Sequence, residues 1–184
     1  MTDVVDPETK AHWESYLAGR TGTYEFRCKR YRAVFDQMTE MNAGLLSHGA
    51  ICDIGAGRQE FLKYCESVPG WSGGYYPVDG SIDGTDLEFW TLPMYSAFNI
   101  AIEVLEHLHD PWRLAEDMVQ KSWTGAVITT PNPAVVDVLG MDPTHLTPIS
   151  EADLILRGWS VRVCELFGVE GDSLLAWQYK SRRI

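Results

Sequence analysis

The chain has 184 residues, 45% of them hydrophobic and 22% charged, which fits one soluble globular domain with a sizeable core. The formal net charge of -11 argues against a broad surface for nucleic acid or anionic membrane, because such surfaces are basic. The chain has no apolar run of roughly 18 residues, no signal pattern at its acidic start and no C-x-x-C pair. We therefore expect a reducing, cytoplasmic location and no membrane partner.

Basic residues cluster locally at both ends of the chain. We interpret both clusters as solvated charged faces, because charge runs usually face water. The clusters comprise Arg20, Arg27, Lys29, Arg30 and Arg32, and then Lys180, Arg182 and Arg183.

Residues 1–49 are predicted to be a helical cap segment that precedes the sheet. Pro7 starts a first helix with Asp6 as its cap, and a second helix runs from about Tyr24 to Leu46. The segment must pack on the sheet or cover a ligand cleft, and we interpret its aromatic residues as core. One face of the first helix carries Trp13, Tyr16 and Leu17.

The stretch from Ala50 to Leu62 reads as a strand, a glycine turn and a helix start. The strand is Ile51–Ile54, the turn is Gly55-Ala56-Gly57, and helix formers resume at about Glu60. Two glycines let the backbone approach a ligand and take angles that a side chain would forbid. In a parallel α/β sheet, a nucleotide-like ligand binds at such a turn.

The region after the turn is shortened. A second strand is expected at residues 74–79, with Pro77 indicating a bend or a sheet edge. Only 18 residues separate Asp79 from Phe98, which is too few for two full crossovers. We expect that one helix is lost or reduced to a turn and that a short strand lies near residues 87–90.

The rest of the chain alternates strands and helices. Strands are predicted at residues 98–103 and 125–130, and a helix starts at Pro111 with Asp110 as its cap. Ser150 with Asp153 caps a later short helix. A short link joins the last two strands, near 160–167 and 173–179, and indicates an antiparallel hairpin.

These elements predict an α/β fold of the Rossmann-like, three-layer type. The sheet is mostly parallel, with an antiparallel C-terminal hairpin strand, and is truncated between its second and fourth strands. Residues 1–184 are predicted to form a single domain, with 50–184 as the Rossmann-like core.

Acidic residues stand at the carboxyl ends of three predicted strands. They are Asp53, Asp79 and Glu103. Ligands in open α/β sheets bind at this edge, and an acid after the second strand is suited to accept both ribose hydroxyls.

The glycine pattern separates two kinds of cofactor. A dinucleotide motif G-x-G-x-x-G would need glycine at position 60, where Glu60 stands. Asp53 would repel a pyrophosphate but not a cationic amino-acid group. The turn therefore favours S-adenosylmethionine over NAD, and an NAD-type oxidoreductase is the disfavoured alternative.

Five motifs in order resemble class I S-adenosylmethionine-dependent methyltransferases of the type 11/23-like, E-V-L-E-H subgroup. The resemblance covers about residues 50–179. Its carriers are D-I-G-A-G-R-Q-E-F, Y-Y-P-V-D-G-S, F-N-I-A-I-E-V-L-E-H-L-H-D-P, V-I-T-T-P-N-P and D-P-T-H-L-T-P-I-S. The chain departs from the family pattern at Gln59, where a third glycine is usual, and in the shortened segment after Asp79.

The resemblance implies a set of cofactor-binding positions. Asp79 would hold the ribose, the segment after it the adenine, and the acid after the fourth strand the methionine part. Arg27 or Arg30 would pair with the cofactor carboxylate. The implied set is Asp53, Gly55, Ala56, Gly57, Asp79, Gly80, Asp86, Leu87, Glu103 and Val104.

Methyl transfer needs a base only if the acceptor loses a proton. The candidate catalytic residues are Glu106, His107 and His145, with His109 a weaker candidate. The alternative is that E-H-L-H-D-P is a strand-to-helix turn in which these side chains bond to backbone.

A metal site is a further alternative. Glu103, Glu106, His107 and His145 resemble the metal-binding set of small-RNA 3′-terminal 2′-O-methyltransferases, in which a divalent metal gathers two hydroxyls. E-V-L-E-H also occurs in methyltransferases without a metal, and this chain is acidic.

The sequence thus predicts methyl transfer from S-adenosylmethionine to an oxygen or nitrogen of a small-molecule or nucleotide-like acceptor, with nucleic acid disfavoured. The alternatives are a cofactor-binding protein without catalysis, or a metal-dependent 2′-O-methyltransferase acting on an RNA end. The sequence does not define the acceptor, because loops build its pocket, nor does it define the oligomeric state.

Overall fold

A computed structural model describes residues 7–19 and 22–181. The elements follow the alternation expected from the sequence. The helices are α1 (Pro7–Gly19), α2 (Tyr24–His48), α3 (Glu60–Glu66), α4 (Gly80–Asp83), α5 (Pro111–Gln120), α6 (Val138–Met141) and α7 (Glu151–Leu156). The strands are β1 (Ile51–Ile54), β2 (Tyr75–Val78), β3 (Ser96–Ile102), β4 (Ser122–Pro131), β5 (Ser160–Cys164) and β6 (Ser173–Tyr179).

The six strands form one sheet in the order β2-β1-β3-β4-β6-β5. β1 pairs in parallel with β2 and β3, and β3 with β4, whereas β6 is antiparallel to both β4 and β5. This confirms the predicted mostly parallel sheet with an antiparallel C-terminal hairpin strand. The chain leaves β1 toward one edge and then crosses to β3 on its other side, so the strand order reverses between β1 and β3. Ligands bind at such a reversal in open α/β sheets.

Helices cover both faces of the sheet, which explains why β3 and β4 are buried almost throughout. On one face, Leu114 and Met118 of α5 and Leu154 of α7 pack against the sheet in one apolar cluster. On the other face, Val34 and Met38 of α2 join a second cluster. The three-layer arrangement is therefore confirmed.

Capping explains several helix starts that the sequence predicted. Asp110 accepts from the backbone N–H of Arg113, with Pro111 in the first turn of α5. Ser150 and Asp153 form a reciprocal capping box at α7. The predicted cap of α1, Asp6, lies outside the described residues.

The expected strand near residues 87–90 is absent from the described part of the chain. Residues 87–89 form turns, and the N–H groups of Phe89 and Trp90 both bond to the carbonyl of Asp86. Arg113 of α5 donates to the carbonyl of Trp90, and Lys121, which follows α5, donates to that of Leu92. The prediction was wrong because these side chains take carbonyls that a strand partner would otherwise use.

β2 is an edge strand, which accommodates Pro77 as the sequence indicated.

No helix in the described part of the chain combines the length and apolarity that a bilayer-spanning segment needs.

Candidate active site

The strand reversal places two sharp turns side by side. Gly55 follows β1 with φ of +73°, and Glu103 follows β3 with φ of +58°, so both stand in the left-handed region. A Cβ atom at Gly55 would lie 2.3 Å from Cγ2 of Val104. The two turns therefore pack so closely that only glycine fits at position 55.

A cleft of about 380 Å³ opens above these turns. It brings together eight of the ten residues that the sequence predicted to bind the cofactor, which come from four separate stretches of chain. They are Gly55, Gly57, Asp79, Gly80, Asp86, Leu87, Glu103 and Val104. The other two, Asp53 and Ala56, line a smaller neighbouring cavity.

Asp79 ties the glycine turn to α4. One carboxylate oxygen accepts from the N–H of Gly57 at 2.8 Å, and the other accepts from the N–H and hydroxyl of Ser81 at 2.8 and 2.5 Å. Each oxygen of a carboxylate can accept about two hydrogen bonds, and the oxygen bonded to Ser81 already accepts two. Asp79 is thus held rigidly at the cleft wall, and the oxygen bonded to Gly57 retains one acceptor position for a ligand hydroxyl.

Asp53 is a buried acid below the turn and accepts a short hydrogen bond from the hydroxyl of Tyr75. Burial raises the pKa of Asp53 to about 7, and the charge of Asp79 adds to this effect, against the lowering effect of Tyr75. Asp53 therefore changes charge near neutral pH.

The two arginines considered for a cofactor carboxylate have different surroundings. Arg27 forms a bidentate ion pair with Glu60, at 2.5 and 2.6 Å, and the hydroxyl of Tyr31 donates to the same carboxylate at 2.7 Å. Within the described ranges, Arg30 forms no ion pair, and its guanidinium lies 4.4 Å from the ring centre of Phe167. Arg30 lines both the cavity beside Asp53 and a third, larger cavity.

The burial of Arg27 and Arg30 corrects the prediction of a solvated basic face. Their exposed fractions are only 8% and 5%, while Lys29 and Arg32 are exposed as expected. Arg20, Arg182 and Arg183 lie outside the described residues.

The third cavity, of about 560 Å³, contains all three predicted catalytic residues. Ligand atoms of Glu106, His107 and His145 lie within 4.8 Å of one another, and the two imidazole centres are 4.6 Å apart. Glu103 is not part of this cluster, although it lines the same cavity. His109 lies apart from this cluster and lines the 380 Å³ cleft above the two turns, which we call the cofactor cleft after the residues predicted to line it.

Glu106 is fully buried, and neither carboxylate oxygen meets hydrogen-bond geometry with a described residue. Burial raises the pKa of Glu106 well above its ordinary value and the charge of Glu103 raises it further, whereas Thr130 and Arg30 oppose the shift. A buried carboxyl without a partner is costly and is a feature of functional sites.

Hydrogen bonds assign the tautomers of the two histidines. Nδ1 of His145 lies 2.6 Å from the carbonyl of Val138. Nδ1 of His107 lies 3.2 Å from the carbonyl of Thr144 and 2.9 Å from its hydroxyl, which itself donates to Asp142. Because these partners can only accept, both Nδ1 atoms carry a proton, so that Nε2 is the ring nitrogen that can act as a base or a ligand when the imidazole is neutral. The histidines therefore do bond to backbone, as the alternative interpretation held, but Glu106 does not.

Residues of α1 belong to the site, which the sequence interpretation missed. Trp13, Tyr16 and Leu17 line the cofactor cleft instead of joining the core. Their spacing on one helical face was visible, but spacing alone does not distinguish a core face from a cleft wall.

No family model matches the sequence, and no curated protein matches it. Solved structures do match in fold. The plantazolicin methyltransferase BpumL with bound S-adenosylhomocysteine gives a TM-score of 0.60 at 11% identity, over 96% of this chain and 91% of that one. Magnesium protoporphyrin IX methyltransferase from Synechocystis gives 0.54 at 14%, over 94% and 95%. The small RNA methyltransferase HEN1 gives 0.60 at 13%, over 83% of this chain and 25% of that one.

The fold is therefore that of class I S-adenosylmethionine-dependent methyltransferases, as the sequence motifs predicted. Identities this low show the fold, and the activity has to be argued from the site.

Proposed function

We propose that the protein transfers a methyl group from S-adenosylmethionine to an oxygen or nitrogen of a small-molecule or nucleotide-like acceptor. The observation that carries this proposal is the joining of two cavities at the strand reversal. The cofactor cleft holds the predicted cofactor residues, and it shares Glu103 and His107 with the cavity that holds the candidate base.

The residues of the cleft fit the parts of this cofactor. Asp79 would accept the ribose hydroxyls, Asp86 and Leu87 would contact the adenine, and Glu103 with Val104 would contact the methionine part. Arg30 suits the cofactor carboxylate better than Arg27, since Glu60 already pairs with Arg27. When bound, the cofactor supplies a methyl group on a sulfonium, and the protein's contribution is alignment of donor and acceptor.

His107 or His145 would take the acceptor proton. Each has an Nε2 lone pair, and each ring is oriented by the hydrogen bond at its Nδ1. Replacing His107 with glutamine is expected to lower kcat by at least about tenfold if it is the base, with little change in cofactor affinity.

Calorimetry with S-adenosylmethionine, S-adenosylhomocysteine and NAD tests the cofactor. We expect micromolar affinity for both sulfur ligands and none for NAD. Asp79→Asn should weaken binding, whereas Asp36→Asn, the same change on an exposed face of α2, should not. Failure of both sulfur ligands to bind rejects the proposal. Binding without turnover over a broad acceptor panel supports the cofactor-binding protein without catalysis.

The cluster of Glu106, His107 and His145 favours a second candidate, a metal-assisted 2′-O-methyltransferase acting on an RNA end. Two imidazoles and a buried carboxylate with their ligand atoms within 4.8 Å of one another are a set that Zn²⁺, Mn²⁺ or Fe²⁺ accepts, and each Nδ1–H is anchored as in protein metal sites. A bound divalent metal would gather two neighbouring hydroxyls of the acceptor. The fold match to a small RNA methyltransferase is consistent with this candidate.

Elemental analysis of the purified protein separates the two candidates. A metal-dependent enzyme holds about one divalent ion per chain, and Glu106→Ala loses it while the exposed-site control Glu116→Ala keeps it. Addition of Co²⁺ gives an independent readout, because ligation by the histidines produces visible absorption. Absence of a stoichiometric metal and of a Co²⁺ spectrum would rule out the second candidate.

A further inference from the structure

Helix α1 forms one wall of the cofactor cleft but has little anchoring of its own. Trp13, Tyr16 and Leu17 face the cleft, and no residue of α1 is buried. The helix packs mainly against α4. There, Trp13 lies so close that a Cβ atom at Gly80 would come within 2.3 Å of its Cδ1. A ligand in the cleft would thus lie between the sheet edge and a helix that has no buried residue.

Hydrogen bonds tie α1 to other elements at the cleft. The hydroxyl of Tyr16 donates to Oδ2 of Asp142 at 2.7 Å, and Arg58 donates to the carbonyl of Leu17. Asp142 precedes His145 in the loop after α6, and both residues line the third cavity, which we call the acceptor cavity. The bond from Tyr16 therefore joins α1 to this cavity.

The carboxylate of Asp142 is also linked to the candidate catalytic residue His107 through Thr144. Oδ1 of Asp142 accepts from the N–H and the hydroxyl of Thr144, at 2.9 and 2.6 Å. The hydroxyl of Thr144 in turn accepts from Nδ1 of His107 at 2.9 Å. The chain Tyr16–Asp142–Thr144–His107 thus runs from α1 to a histidine shared by both cavities.

We propose that α1 is a lid over the cofactor cleft, that the Tyr16–Asp142 hydrogen bond latches it, and that the closed latch holds His107 in its Nδ1–H tautomer. This inference rests on the proposed function, since it assigns the cleft to a cofactor. Tyr16, Asp142 and Thr144 are positioning residues. The lid opens for cofactor exchange, and its closure completes the acceptor cavity around His107.

Ring contacts add to the coupling. The rings of Trp13 and Tyr16 each lie 6.0 Å from the imidazole of His107 in edge-to-face arrangements. When α1 moves away, His107 loses both ring neighbours, and Asp142, which orders Thr144, loses the hydrogen bond that Tyr16 donates to it. The position of the lid is therefore communicated to the site of proton transfer through direct contacts.

Stopped-flow measurement of S-adenosylhomocysteine release tests the latch. Tyr16→Phe and Asp142→Asn should each speed release about tenfold, because each removes or weakens a hydrogen bond to a charged acceptor. The double variant should release no faster than the faster single variant, since both changes break one bond. Tyr179→Phe, which removes an exposed hydroxyl from β6, should leave the rate unchanged. Additive effects, or unchanged release in both single variants, would overturn the latch.

Two measurements without any ligand keep this test separate from the test of the proposed function. Hydrogen exchange of the α1 amides should be faster in Tyr16→Phe than in the wild type, with the core strands unchanged. Nitrogen-15 spectra of histidine-labelled protein should show one Nδ1–H tautomer for His107 in the wild type and a mixture in Asp142→Asn. Equal exchange and identical spectra in the variants reject the lid even if the ligand binds. If the variants show both effects but the wild-type protein binds no sulfur ligand, the lid is supported and the proposed cofactor is rejected.

Discussion

At the scale of the residue, Gly55 shows why the turn after β1 accepts only glycine. Its φ is +73° and the space of a Cβ atom is already taken by Val104, whereas Gly70 has φ of +84° with no atom near that space. A substitution at Gly70 would therefore meet backbone strain alone, whereas one at Gly55 would meet the same strain and a steric clash with Val104.

We predict that Gly70→Ala lowers the free energy of unfolding by about 1–2 kcal/mol, the strain of the left-handed region alone. Gly55→Ala should cost at least about 1 kcal/mol more, because Val104 must move, and should also weaken S-adenosylhomocysteine binding. Urea unfolding and calorimetry of both variants make the comparison. Equal destabilisation would show that the turn and Val104 are not tightly packed.

Asp53 is predicted to make the protein less stable as pH rises. Its pKa of about 7 in the folded state is above the ordinary value of 3.8, so the folded state binds its proton more tightly than the unfolded state does. Between about pH 4 and 7, this residue alone lowers the free energy of unfolding by about 1.4 kcal/mol per pH unit, and the effect is constant above pH 7.

Asp53→Asn tests this sign. The free energy of unfolding of the wild type minus that of the variant should fall from pH 5 to pH 8, as measured by urea unfolding at several pH values. A difference that does not change with pH would mean that Asp53 is ionised throughout in the folded protein. Both proteins retain a side-chain oxygen that accepts from Tyr75, which limits other effects of the change.

At the scale of the element, α5 replaces the strand missing from the shortened segment. Residues 113, 117 and 121 recur at four-residue spacing and face residues 87–92. Arg113 donates to the carbonyls of Leu87 and Trp90, both at 2.7 Å, and Lys121 donates to that of Leu92 at 3.0 Å. In the other direction, the carboxylate of Glu88 accepts hydrogen bonds from the backbone N–H groups of His109 and Asp110, just before α5.

Loss of this anchoring should loosen one wall of the cleft. We expect Arg113→Met to cost about 1–3 kcal/mol, because two carbonyls lose a donor, and to increase hydrogen exchange in residues 85–92. Since Asp86 and Leu87 line the cleft, ligand affinity should fall as well. Arg32→Met, the same change at an exposed position of α2, serves as the control. Unchanged exchange in the segment would contradict the anchoring role.

The sequence predicted the elements whose signals are local. β1, α3 and β6 agree closely with prediction because apolar runs and glycine or proline boundaries define them. The segment around Leu87 was assigned wrongly because its carbonyl partners are side chains about 25 positions away. The cofactor residues were predicted from local motifs, whereas the contact of Tyr16 with Asp142 joins residues that are distant in sequence and carries no local signal.

At the scale of the whole molecule, the surface near the N-terminus is less basic than the sequence suggests, because Arg27 and Arg30 are buried. The whole chain has a net charge of -11. Arg27 is committed to Glu60, and Arg30 packs on Phe167. The described surface therefore offers no continuous basic stripe of the kind that tracks a nucleic-acid backbone.

The shortened segment also leaves β2 as a bare edge of the sheet. The carbonyls of Gly74 and Val78 accept hydrogen bonds from residues at β1, so by alternation the backbone nitrogen of Pro77 points outward. We predict that Pro77→Val, which restores a donor there, increases concentration-dependent light scattering, while Pro69→Val in an exposed turn does not. Equal scattering by both variants would contradict a protective role.

A free strand edge is a template on which a second chain can add and begin aggregation. With Pro77 at its centre, the four-residue β2 is short and lacks a donor where an added strand would need one. We therefore expect Pro77 to keep further strands from adding to the free edge of this sheet.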